Sequence, residues 1–171
     1  MDIASPTGQS QENLLAPAER ILQQILRRGG FELSYLIRAQ ETAASDNPEF
    51  VFDFSGPDAE LLLERNASLL DALEYIVLRA ARLPAEISER IVFDCRAWRC
   101  TRAEELRLTA QIAAERVVAT GTRIELTPMN ARERRIVHLA LKDHPSVRTL
   151  SEGFGSDRRV VIFPSSSPDT R

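Results

Sequence analysis

Apolar residues recur along this chain at two spacings, helical and strand-like, and the switches between them mark out its elements. Pro17 opens a helix over residues 17–28 in which Leu22, Ile25 and Leu26 repeat, and Gly29 and Gly30 close it. Phe31, Leu33, Tyr35 and Ile37 then alternate with Glu32, Ser34, Leu36 and Arg38, the pattern of a strand with one apolar face. Residues 43–48 read as a polar turn, and 50–54 as a second strand rich in phenylalanine. Ser55, Gly56 and Pro57 break that strand and start a short helix to about residue 63. A turn at 64–67 separates it from a longer helix, 69–83, with Leu70, Leu73, Ile76, Val77 and Ala80 on one side. Pro84 ends this helix, and Ile91, Val92 and Phe93 form a third strand.

The second half repeats none of this. Thr101 with Glu104 forms a capping box, each side chain serving the other residue's free amide, ahead of a long helix. Leu106, Ala110, Ala113 and Val117 are its apolar stripe, and Gly121 stops it. A short strand follows at 123–126. Asn130 with Glu133 caps a helix over 131–142. Two strands, 147–151 and 159–163, flank a glycine-rich turn at 153–155. The order α-β-β-α-α-β, a long helix, then β-α-β-β predicts an α+β protein of two small modules, at 14–96 and 97–164. The polar ends, 1–13 and 165–171, read as disordered tails.

Composition narrows the function classes. No apolar run reaches the roughly 18–20 residues that a membrane span needs, and residues 1–11 lack the basic-then-apolar order of a secretory signal. The expectation is a cytoplasmic protein without membrane insertion. Cys95 and Cys100 have no second cysteine pair and no nearby histidine, so neither a metal site nor a disulfide is expected. They read as one buried strand residue and one loop residue. The net charge of −3 conceals an asymmetry. Residues 1–120 carry 13 arginines against 19 carboxylates, whereas residues 121–171 carry 9 cationic side chains against 6 carboxylates. An acidic body with a basic end points to a polyanionic partner.

In that basic end, Arg134 and His138 stand four apart on one face of the predicted helix, within reach of neighbouring phosphate oxygens. Arg158 and Arg159 begin the last strand, and Phe154, between two glycines, offers an exposed ring for base stacking. By spacing alone such a face is most often merely solvated. The motifs are more specific. Pro128-Met129-Asn130, Glu133-Arg134-Arg135-Ile136-Val137-His138, Asp143-His144-Pro145, Ser151-Glu152-Gly153 and Arg158-Arg159-Val160-Val161-Ile162 closely resemble the C-terminal domain of the bacterial Jag/KhpB (SpoIIIJ-associated) family. That domain is called R-3-H, for an arginine and a histidine with three residues between them. The resemblance covers residues 121–164 and implies single-stranded nucleic-acid binding, to RNA before DNA. Arg134 and His138 would be the naming pair, and Arg135, Arg158 and Arg159 supporting phosphate contacts.

The first module resembles the KH-like module that precedes R-3-H in this family, through its element order and Leu70-Asp71-Ala72-Leu73-Glu74-Tyr75. The family's Gly-x-x-Gly loop falls on Glu64-Arg65-Asn66-Ala67, and both glycines are missing. Glycine lets a phosphate come close, whereas Glu64 sets a carboxylate in its path. This loop is therefore expected to be impaired as an RNA clamp, and the module to survive as a scaffold or a protein-contact surface. The extra domain with which many members begin is replaced here by a short polar tail, so any function lodged there is expected to be missing. The overall expectation is a post-transcriptional regulator that binds single-stranded RNA without a cofactor. The alternative is a protein-interaction adaptor with vestigial RNA binding. No catalytic constellation, phosphate-binding glycine loop or ligand cluster suggests an enzyme. An ordinary histidine at position 138 would strengthen binding as pH falls below about 6.5.

Overall fold

The computed structural model describes residues 7–39 and 50–165, with side chains from Leu14 onward. The turn predicted at 43–48, the first six residues and most of the C-terminal tail lie outside the described residues. Two separate hydrophobic clusters, each built on its own three-stranded sheet, divide the chain into units Met1–Trp98 and Arg99–Arg171.

The first unit contains α1 (Thr7–Gly29), β1 (Ser34–Ala39), β2 (Phe50–Ser55), α2 (Ala59–Ala81), the one-turn α3 (Ala85–Ser88) and β3 (Ile91–Cys95). β2 is central, antiparallel to β1 and parallel to β3. Its phenylalanines make the core: Phe50, Phe52 and Phe54 are buried with Phe93, whose ring centroid lies 4.9 Å from that of Phe52 and 5.2 Å from that of Phe54. Burying each such side chain contributes about 1.5–3 kcal/mol. The expected alternation over 31–38 is present, with Phe31, Leu33, Tyr35 and Ile37 half-buried and their neighbours exposed, though the strand itself begins only at Ser34. The loop into α2 needs a glycine. Gly56 has φ +123°, and a Cβ there would lie 2.5 Å from the Glu32 carbonyl oxygen.

Two predicted helix starts are corrected. α1 does not open at Pro17, which lies inside it. Its buried stripe, Leu15, Ala18, Leu22 and Leu26, begins before the proline, and packing of that stripe decides where the helix runs. α4 (Trp98–Thr120) starts three residues before Thr101, so Thr101 and Glu104 lie inside the helix and do not cap it. Arg96 and Ala97, with φ of 52° and 56°, turn the chain from β3 into the helix, a conformation that non-glycine residues do not announce. As a result Cys100 is an exposed helix residue rather than a loop residue, while Cys95 is buried on β3 as expected. The predicted break at 64–67 is present. Within α2, Glu64 is extended (φ −59°, ψ 150°), and Arg65, Asn66 and Ala67 follow with φ of 50°, 58° and 57°.

The second unit holds most of α4, then β4 (Ile124–Glu125), α5 (Ala131–Ala140), β5 (Val147–Glu152) and β6 (Arg159–Pro164). The sheet order is β4-β6-β5, antiparallel throughout, so β5 is an edge strand. Leu106, Ala110, Ala113 and Val117 of α4 are buried as predicted, with Val137 from α5 and Val160 and Ile162 from β6 in the same core. Val160 and Ile162 therefore face the helices, and Arg159, Val161 and Phe163 face the other side of the sheet. The mixed helix and strand content is that of an α+β protein.

Candidate nucleic-acid interface

The N-terminus of α5 is held from three sides. The Asn130 side chain accepts from the Glu133 amide at 2.9 Å, and Glu133 Oε2 accepts from the Asn130 amide at 3.1 Å, a reciprocal capping box as the sequence predicts. Glu133 is 7% exposed, and its Oε1 accepts from Arg102 Nε of α4 at 2.7 Å. Burial lowers the Arg102 pKa, but the bonds and charges of Glu133 and Glu105 outweigh it and the net shift is upward. The Met129 amide donates to the Arg158 carbonyl at 3.1 Å, which ties the approach to α5 to the start of β6.

On the face of α5 so positioned, Arg134 and His138 turn toward the edge strand β5. Arg134 Nη1 donates to Ser151 Oγ at 3.1 Å. The His138 ring pairs with two hydroxyls, Nδ1 with Thr149 Oγ1 at 2.7 Å and Nε2 with Ser151 Oγ at 2.9 Å. Thr149 and Ser151 are two apart on a strand, so they share a face. Arginine and histidine thus converge on one serine oxygen. A neutral imidazole donates through one nitrogen and accepts through the other, so one of the two hydroxyls must donate to the ring. A protonated ring donates through both, which frees that hydroxyl's proton too for an outside acceptor. Burial, and then the Arg134 guanidinium, hold His138 below its ordinary pKa. This revises the pH expectation: the ring charges only in more acid solution than an ordinary histidine. Arg134 Nε is buried and has no hydrogen-bond partner among the described residues.

The remaining predicted site residues divide between two faces. Arg135 is exposed one step around α5 from Arg134. Arg158 is exposed at the end of the hairpin nearest the start of α5. Phe154 is 93% exposed at the hairpin tip. Gly153 there, at φ +87°, has no room for a Cβ, which would lie 2.8 Å from the Asp157 carbonyl oxygen. Arg159 does not join the Arg134–His138 pair. It faces away from α5, its Nε bonded to the Asp157 carbonyl at 3.1 Å and its Nη1 3.5 Å from Glu125. Grouping it with Arg158 overlooked the strand period, which sends adjacent residues to opposite faces. Thr149 and Ser151 are what sequence reasoning missed. Their two-residue spacing was visible, but their pairing with α5 was not.

In the first unit, Glu64, Arg65 and Asn66 are exposed at the loop within α2, and Ala67 is buried. Among the described residues, no group of three or more histidine, cysteine or acidic side chains could hold a metal ion. No helix among them is long and apolar enough to cross a membrane.

Comparison with known proteins places these features. The R-3-H domain family matches residues 104–164, the stretch that contains Arg134, His138, Thr149 and Ser151. Over 152 residues, 89% of the chain, it is 29% identical to the RNA-binding protein KhpB of Clostridium symbiosum, of which it covers 67%. The RNA-binding protein KhpB of Bacillus subtilis (strain 168) is 32% identical over 114 residues, or 65% of the chain and 54% of that relative. That of Lactiplantibacillus plantarum is 30% identical over 102 residues, or 60% of the chain and 32% of the relative. The chain therefore spans about two thirds of the first of these curated relatives and a smaller share of the other two. An R-3-H domain match around the Arg134–His138 pair and similarity to relatives named KhpB along most of its length support the resemblance to the Jag/KhpB family.

Proposed function

We propose that this protein binds single-stranded RNA as a post-transcriptional regulator, and that the α5–β5 cluster takes the phosphate backbone. One observation carries the reading: Arg134 and His138 meet on Ser151 Oγ at a sheet edge, within the stretch that R-3-H domains match. Relatives named RNA-binding proteins support RNA over other polyanions. In this reading Arg134, with Arg135 and Arg158, supplies charge-assisted contacts to phosphate. Thr149 and Ser151 set the geometry, and Phe154 stacks on a base. The protein acts by binding, not by catalysis, and works in the cytoplasm.

The first unit is read as a KH-like module whose loop has lost its clamp. A carboxylate at position 64 opposes phosphate, and Arg65 restores neither glycine. A protein-contact role for this unit is favoured by a groove of about 120 Å³ with wholly apolar walls, among them Leu26, Phe31, Leu62, Leu69 and Ile76.

The test is the affinity of a short single-stranded RNA as a function of salt. Counterion release gives a slope of log K on log salt of about −0.7 per phosphate contact on a single strand. A slope of roughly −2 or steeper supports the reading. Negligible affinity even at low salt rejects it in favour of the adaptor.

A further inference from the structure

The face of the second sheet turned away from α5 carries its own ordered arginines. In register, Arg148 of β5 stands opposite Phe163 of β6. The Arg148 guanidinium carbon lies 4.9 Å from the Phe163 ring centroid, and that of Arg123, just before β4, lies 5.9 Å from it. Arg159 lies on the same face, four residues along β6, and in register with Glu152 of β5, so three arginines stand against two carboxylates, Glu125 and Glu152, on this face. Arg123 and Arg159 both reach Glu125, at 3.3 and 3.5 Å, so two cations share one carboxylate. Leu150, in the middle of this face, is 44% exposed.

A guanidinium stacked on an aromatic ring keeps its in-plane N–H donors at the rim, where they match a phosphate bidentately. Stacking also fixes the side chain in advance, so less conformational entropy is lost on binding. The edge strand joins this face to the other one. Thr149 and Ser151 point toward α5, while Arg148 and Leu150 point away from it. A single strand leaving the Arg134–His138 cluster has only to cross the β5 edge to meet Arg148.

We propose that this face is a second nucleic-acid-binding surface, on which Arg148 and Arg123, held by Phe163, take phosphates of the same strand that the Arg134–His138 cluster binds. The inference rests on the RNA-binding reading above. Its occupant is argued from charge complementarity and from the continuity of the two faces through β5.

The test compares single-stranded RNAs of about five and about fifteen nucleotides, bracketing the span of a compact single-strand site. The variant is Arg123→Gln/Arg148→Gln, beside Arg123→Lys/Arg148→Lys, which keeps the charge. For the longer RNA the Gln variant should lose roughly tenfold in affinity, with a salt slope shallower by about 1.4, two phosphate contacts' worth. The shorter RNA should change less than about twofold. The Lys variant should keep most of the slope and, through the loss of bidentate geometry, only part of the affinity. Unchanged binding of the longer RNA by a Gln variant that unfolds at the wild-type temperature overturns the proposal. Equal losses for both lengths, or a Gln variant that no longer folds beside a Lys variant indistinguishable from wild type on both RNAs, also overturn it. If wild type binds neither RNA, the RNA-binding reading itself has failed, and that result is distinct.

Discussion

The loop at Glu64–Ala67 and the cluster between α5 and β5 both offer arginine at the surface, but they differ in what surrounds it. In the loop, Arg65, Asn66 and Ala67 sit in the left-handed region, which costs roughly 1–2 kcal/mol per non-glycine residue, and Glu64 adds negative charge beside the cation. In the second unit, the arginine is half-buried on a helix whose N-terminus is capped and pinned, and its Nη1 donor is aimed by a serine that a histidine also holds. An arginine becomes a site when its direction is fixed before the ligand arrives. By that criterion the proposed binding chemistry belongs to the second unit rather than to the loop of the first.

The comparison can be broken at several points. The largest effect should come from Arg102→Ala, which leaves Glu133 buried without its cation. A loss of about 3 kcal/mol in urea denaturation is expected, and a loss under 1 kcal/mol would show that the pair does not anchor α5. Ser151→Ala should cost about 1 kcal/mol of binding, roughly fivefold in RNA affinity, because Arg134 and His138 lose their shared partner. Full affinity in that variant would mean that the hydroxyl does not organise the pair.

His138 gives a pH signature. Its folded pKa lies below the unfolded value near 6.5, so the unfolded chain binds its proton first as pH falls. Its contribution to stability is complete above about pH 6.5 and is lost as pH drops through the folded pKa. His138→Gln should flatten that part of the profile. Arg134→Ala should move the His138 titration, followed by NMR, back up toward 6.5, and a shift the other way would contradict the assigned cause. The smallest effect is expected at Arg65→Ala, which should change RNA affinity less than about twofold if the loop is silent.

Much of this was legible along the chain. The alternation at residues 31–38, the stripe of Leu106, Ala110, Ala113 and Val117, and the Asn130–Glu133 cap each follow from spacing alone, because each depends on neighbours within a turn or a strand. That Arg134 and His138 share a helix face follows from spacing too, but only the resemblance to R-3-H domains marked them as a site. The start of α4 was not, because Arg96 and Ala97 take positive φ without the glycine that usually signals it. Nor was the separation of Arg159 from the pair, since its partner Glu125 lies 34 residues away across a register that only the folded sheet defines. Local spacing put the pair on one face, the motif resemblance marked it as a site, and tertiary pairing supplied Thr149 and Ser151.

The central claim is most directly tested by measuring the affinity of one short single-stranded RNA, at low and at moderate salt, for wild type, Arg134→Ala/His138→Ala and Arg65→Ala. The account predicts that the double variant loses at least about tenfold with a shallower salt slope, while Arg65→Ala binds like wild type. A double variant that binds like wild type, beside an Arg65→Ala protein that does not, would place the binding chemistry in the loop and contradict the account.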